Sequence, residues 1–116
     1  MKQLMEVWSA KPAWLALDAG QQRLFLDEIL AKVGPLMEAG LDLVASGVVE
    51  ADFPNSLPHH YFAFWQAEDP SIVLQFGQVL LDGSWYGYFD QLNISGTAEP
   101  LPDVLARHIE VRAVAR

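Results

Sequence analysis

The sequence predicts an α+β fold: a four-stranded antiparallel sheet with two long helices on one face, in the order β-α-β-β-α-β, and a short helix at the C-terminus. Three observations carry this expectation. Two segments, "KQLMEVWSA" (2–10) and "HHYFAFWQA" (59–67), have the two-residue period and aromatic content of strands. Two others place apolar residues at helical spacing behind an aspartate able to cap the first turn. Proline and glycine mark the joins between them.

Along the first strand, Leu4, Glu6 and Trp8 share one side, with Met5, Val7 and Ser9 on the other. Both sides are apolar enough to expect burial. Pro12 in "KPAW" breaks the strand. The first long helix is predicted from Asp18 to Gly40. Asp18 and Gln21 have the spacing of a capping box, and Phe25, Ile29, Val33 and Leu36 form its apolar stripe. Gly34-Pro35 is expected to kink it, because Pro35 removes an amide donor, and Gly40 to end it. "LDLVASGVVEADF" (41–53) reads as the second strand, "PNSLP" (54–58) as a loop, and His59 to Ala67 as the third strand.

Asp69-Pro70 opens the second helix, which runs through Ile72, Val73, Phe76, Val79 and Leu80 to Gly83. "SWYGYF" (84–89) adds a helical turn, "DQLNIS" (90–95) is a short fourth strand ended by Gly96, and "DVLARHIEV" (103–111) is an amphipathic helix. One domain over 1–116 is expected, with a core over 1–96 and a helical extension over 97–116. This order is the ferredoxin-like plan, in which strands one and three are central neighbours. The face carrying Leu4, Trp8, Tyr61 and Trp65 is too apolar to leave wet, so two copies are expected to pack these faces together.

The charge excludes several partners. Fifteen acidic and seven basic residues give a net charge of −8, and no basic cluster exists to hold a phosphate backbone or an anionic membrane surface. No nucleic-acid or membrane partner is expected. There is no cysteine, hence no disulfide framework or thiolate metal site. Glu6 interrupts the N-terminal apolar run, so a secretory leader is not expected and a cytoplasmic location is. No glycine-rich phosphate loop, dinucleotide fingerprint or usable Ser-His-Asp order appears.

The chemistry rests on a few residues. Glu6 lies mid-strand among apolar neighbours, where an unpaired carboxylate is costly; a raised proton affinity would make it a general base, and a structural hydrogen bond across a dimer interface is the alternative. His59 and His60 are candidate acid–base groups at a pocket mouth or simply the polar entrance to a strand; pointing to opposite faces, they would not grip one metal. If the polar and aromatic sets share a face, Glu6, Tyr61 and Asn93 meet among Trp8 and Trp65, with Gln91 and Ser95 on the same set as Asn93. Such a cluster suits a small apolar or aromatic ligand, or equally a dimer core. Phe62 and Phe64 would then face the helices.

In element order and length the chain resembles the dimeric α+β barrel superfamily, which includes antibiotic-biosynthesis monooxygenase-like, stress-responsive A/B barrel, muconolactone isomerase-like and EthD-like proteins. "EVWSAKPAWLAL" (6–17) and "WYGYFDQLNISG" (85–96) are similar to an uncharacterised bacterial family of small barrel proteins. The resemblance implies a homodimer and a small-molecule pocket, usually between sheet and helices, where His60, Phe62, Phe64, Trp85, Tyr86, Tyr88 and Phe89 would be placed. It also implies cofactor-independent chemistry of the monooxygenase, isomerase or cyclase kind on an apolar or aromatic metabolite. A non-catalytic homodimeric ligand-sequestering or structural module is the alternative. Some branches bind haem through a histidine on a helix; neither long helix here carries one, so no cofactor and no metal are expected.

Overall fold

A computed structural model describes residues 1–109. Strand β1 (Lys2–Ala10) leads into a single turn, α1 (Pro12–Leu15), and then into the long helix α2 (Ala19–Glu38). Strands β2 (Asp42–Val48) and β3 (Tyr61–Ala67) follow, then α3 (Pro70–Asp82), a further turn α4 (Trp85–Tyr88), β4 (Phe89–Thr97) and α5 (Leu101–Ala106). The sheet order is β2-β3-β1-β4 and every pairing is antiparallel, so β1 and β3 are central, as expected.

The helix ends form for the reasons legible in their sequences. The Asp18 side chain accepts from the Gln21 amide and the Gln21 side chain accepts from the Asp18 amide, completing the capping box. At the other end Gly40 takes φ 123°, which a side-chain-bearing residue would resist. That turn lets the Leu41 amide reach back to the Leu36 carbonyl and the Gly40 amide to Met37. Leu41 is then buried at 2% exposure, pinning the exit of α2 to the core. Helix α2 runs through Pro35; the missing amide deprives the carbonyl of Ala31, which is exposed and can turn to water. Asp69 caps α3 by accepting from the Ser71 amide.

Four expected boundaries shift. Strand β2, expected over 41–53, ends at Val48, where the chain leaves the sheet for the connection to β3. Pro12 starts a helical turn instead of only ending β1, because its fixed φ suits a first helical position. Strand β3 begins at Tyr61, so His59 and His60 precede it, although the His60 carbonyl still accepts from the Val49 amide. Strand β4 extends to Thr97 through Gly96, held by pairing with Lys2 and Gln3. Helix α5 buries none of its residues, and the expected helix over 103–111 ends in residues outside those described.

The larger correction concerns the faces of the sheet. Leu4, Trp8 and Trp65 pack with Ile29, Val33 and Phe76 from α2 and α3, so this face is covered by the molecule's own helices. The open face carries Met5, Val7, Phe62, Phe64, Leu92 and Ile94. Leu92 and Ile94 are 55% and 66% exposed there. The two sets along β1 and β3 are similarly apolar, and alternation alone does not say which one the helices take.

Candidate functional site

Glu6 is 4% exposed and sits on the helix-covered face at the middle of β1. Its cross-strand neighbours are Ala63 on β3 and Asn93 on β4. Ala63 is too small to fill the space above the carboxylate. The long side chains that reach Glu6 come from the diagonal positions. Trp65 donates its indole N–H to Oε1 at 2.6 Å, and Gln91 donates its amide to Oε2 at 2.6 Å.

Gln91 is itself held in one orientation. Its Oε1 accepts from the Trp85 indole at 2.7 Å, which fixes the amide group so that Nε2 faces Glu6 and Asn93 Oδ1. Asn93 in turn donates to the Tyr86 hydroxyl at 3.3 Å. The network thus runs from β3 through β1 to β4 and α4. Among the described residues no Lys, Arg or His forms an ion pair with Glu6. Burial pushes its proton affinity above that of an ordinary carboxylate, and the Trp65 and Gln91 hydrogen bonds offset this only in part.

Glu6 faces two cavities. The inner chamber, about 250 Å³, lies between the central strands and helices α2 and α3. Trp8, Trp65, Trp85, Phe76, Leu26 and Val33 are among its walls, with Arg23 at its α2 side. Arg23 is largely exposed and lies 3.6 Å from Asp27. The edge chamber, about 180 Å³, lies between α3 and the β1–β4 edge, and is bounded by Gly77, Tyr86, Gln91, Asn93 and Ser95. Glu6 and Leu80 border both chambers.

The structure therefore gathers Glu6, Trp8, Trp65 and Asn93 about one site. It does not bring the other expected residues there. Tyr61 pairs with Trp8, its ring 6.2 Å from the indole, but is 43% exposed and borders neither chamber. His60 is exposed and stands edge-on to Tyr61 at 6.2 Å. His59 is buried at 8% exposure with Nε2 3.9 Å from Asp90 Oδ2, and its Nδ1 has no hydrogen-bond partner among the described residues. Phe62 and Phe64, expected beside a pocket under the helices, lie on the opposite face. Gln91, Trp85 and Phe76 complete the surroundings of Glu6. The first was visible only as part of a polar set on its strand, and the last only as a helix-stripe residue.

Among the described residues no three His, Asp or Glu side chains gather as a metal-binding set. The chamber walls do not fit haem either, since α2 and α3 offer no histidine and the acidic group at hand is held by Trp65 and Gln91. Among the described residues no helix is long and apolar enough to cross a membrane.

A model described as a family of unknown function, DUF6616, matches residues 1–111. The chain belongs to that family. No curated protein matches it. Among solved structures it is similar to chlorite dismutase from Candidatus Nitrospira defluvii, with a TM-score of 0.69 and 13% identity over 91% of this chain. The chain spans 43% of that protein's length. It is also similar to an Arabidopsis thaliana protein, with a TM-score of 0.58 and 12% identity, covering 87% of this chain and 98% of that one. At these identities the likeness is one of fold: a ferredoxin-like four-stranded antiparallel sheet carrying its helices on one face.

Proposed function

We propose that the protein binds a small, largely apolar or aromatic molecule in the inner chamber, with Glu6 as the group that meets its polar or acidic hydrogen. The observation that carries this reading is a carboxylate buried to 4% with no cationic partner among the described residues, bordering a cavity walled by three tryptophans. Burying a lone carboxylate costs several kcal/mol. Two short N–H donors offset part of that, and each carboxylate oxygen keeps acceptor capacity for a ligand O–H or N–H. A proton affinity raised by burial makes Glu6 a stronger base than an ordinary carboxylate, which suits the role of a general base in a cofactor-independent oxygenase, isomerase or cyclase.

A non-catalytic ligand-sequestering module is the second reading. One observation favours it: both Glu6 oxygens are already engaged by fixed donors, as in a structural network. In either reading the working unit is a homodimer joined through the open face. That face presents Met5, Leu92 and Ile94 at 41%, 55% and 66% exposure, together with Phe62 and Phe64.

Phenol, which pairs one ring with one acidic O–H, tests the site. Its titration followed at the indole N–H resonances of Trp65 and Trp85 is expected to give saturable shifts, weakened about tenfold in Glu6→Gln by loss of a charge-assisted hydrogen bond. Absence of saturation at both indoles, or equal affinity in Glu6→Gln, would remove Glu6 from the binding role.

A further inference from the structure

We infer that the edge chamber is a second subsite, which takes a polar, hydrogen-bonding arm of the molecule whose ring occupies the inner chamber. This rests on the reading that the inner chamber binds a small molecule, and it narrows the ligand to a two-part compound: an aromatic ring with a short arm bearing hydroxyl, carbonyl or amide groups.

Three independent features of the edge chamber lead there. The first is its continuity with Glu6. The carboxylate borders both chambers, with Oε1 held by Trp65, a wall of the inner chamber, and Oε2 held by Gln91, a wall of the edge chamber. A ligand reaching past Glu6 and Leu80 would touch both spaces. The second is the difference in lining. The inner chamber is aromatic and aliphatic apart from Glu6 and Arg23, whereas the sheet and α4 sides of the edge chamber offer Gln91, Asn93, Ser95 and Tyr86. Gln91 is fully engaged by Trp85, Glu6 and Asn93, but the Ser95 and Tyr86 hydroxyls and the second Asn93 N–H supply donors and acceptors at one end of a cavity whose α3 side, with Val73 and Leu74, is apolar.

The third feature is Gly77. It lies in the interior of α3, where glycine is less favourable than alanine because the unfolded chain loses more freedom on ordering. Close packing is the usual structural reason for a helix-interior glycine, and it does not hold here: a Cβ at Gly77 would meet nothing within 4 Å. Gly77 forms part of the α3 wall of the edge chamber. A long side chain at this position would stand at that wall and narrow the cavity.

The test uses two probes and a graded plug. Phenol occupies the ring site alone; 3-hydroxybenzamide adds a carboxamide arm to the same ring. Both are titrated into the wild-type chain, Gly77→Ala and Gly77→Leu, with the Trp65 and Trp85 indole resonances as readout and thermal unfolding as a check on folding. The expected result is that 3-hydroxybenzamide binds wild type at least about tenfold more tightly than phenol, the advantage shrinking in Gly77→Ala and vanishing in Gly77→Leu while phenol affinity holds. Equal affinity of the two probes for wild type, or an advantage that survives Gly77→Leu, overturns the second subsite and leaves the inner chamber standing. Failure of both probes to bind wild type overturns the reading of the inner chamber, and this inference with it. Gly77→Ala keeps the test decisive if the leucine variant does not fold.

Discussion

The two faces of the sheet are built from interleaved residues of the same strands and have opposite fates. On β1, Leu4, Glu6 and Trp8 lie under α2 and α3, while Met5 and Val7 look outward. On β3, Ala63 and Trp65 are covered, while Phe62 and Phe64 lie on the open face. The covered face is the one with the small residue and the polar one. Ala63 opposite Glu6 leaves a hollow that Trp8 and Trp65 border without filling. The open face is continuous and apolar, with Leu57 and Phe53 from the β2–β3 connection beside Met5, Val7 and Phe62. A face suited to closing against another surface and a face suited to enclosing a ligand differ in whether side-chain volume is complete, more than in mean polarity.

The strongest way to break this contrast is to charge the open face. Leu92→Asp places a carboxylate opposite Val7, and in a two-fold dimer it does so twice. Dimer affinity is expected to fall about a hundredfold or more, equivalent to about 3 kcal/mol, in sedimentation at micromolar concentration. A wild-type chain that sediments as a monomer would remove the interface altogether.

On the covered face the largest expected effect comes from Trp65→Phe. An aromatic ring smaller than the indole is retained and the donor to Glu6 Oε1 is lost. A buried acceptor left short of a partner lowers stability by about 2 kcal/mol, measured as a shift in urea midpoint. A neutral outcome would mean that the carboxylate is better hydrated than its burial indicates.

How much of this was legible beforehand follows the same division. Element order, the Asp18–Gln21 capping box, the Gly40 stop and the Asp69-Pro70 start are local signals, fixed by hydrogen bonds within a few residues, and they appear where the sequence places them. Glu6 stood out because a carboxylate in a central apolar strand needs an explanation. Its partner Gln91 did not, because the link depends on cross-strand register and on diagonal reach, neither of which one strand encodes. The choice of covered face was misread for a related reason. Phe62 and Phe64 are larger than Ala63 and invite assignment to the core, yet the helices supply their own bulk through Phe76, Ile29 and Val33. The aromatic pattern puts His59 and His60 on the strand, whereas the chain enters it two residues later, at Tyr61.

A smaller effect separates local from tertiary stability. Asp18→Ala removes the acceptor for the Gln21 amide and is expected to lower stability by about 1 kcal/mol in chemical denaturation, with phenol binding unchanged.

The smallest effect is a slope. Glu6 holds its proton more tightly in the folded chain than at its ordinary value of 4.5, so the folded state binds more protons across the window between that value and its raised one. Stability therefore falls as pH rises through this window and levels off above it. Glu6→Gln should abolish that component, so that the difference between variant and wild type shifts in the variant's favour as pH rises from 4.5 and is constant above the window. The Gln side chain also loses one acceptor to Trp65 or Gln91, which offsets the curves without changing their slope.

The ionisation of Glu6 itself is the most direct measurement. Carbon-13 titration of its side-chain carboxyl, assigned by comparison with Glu6→Gln and repeated with saturating phenol, should give a midpoint above 4.5 that moves when phenol binds. A midpoint at or below 4.5, unchanged by phenol, would describe a hydrated or fully compensated carboxylate with no part in a site.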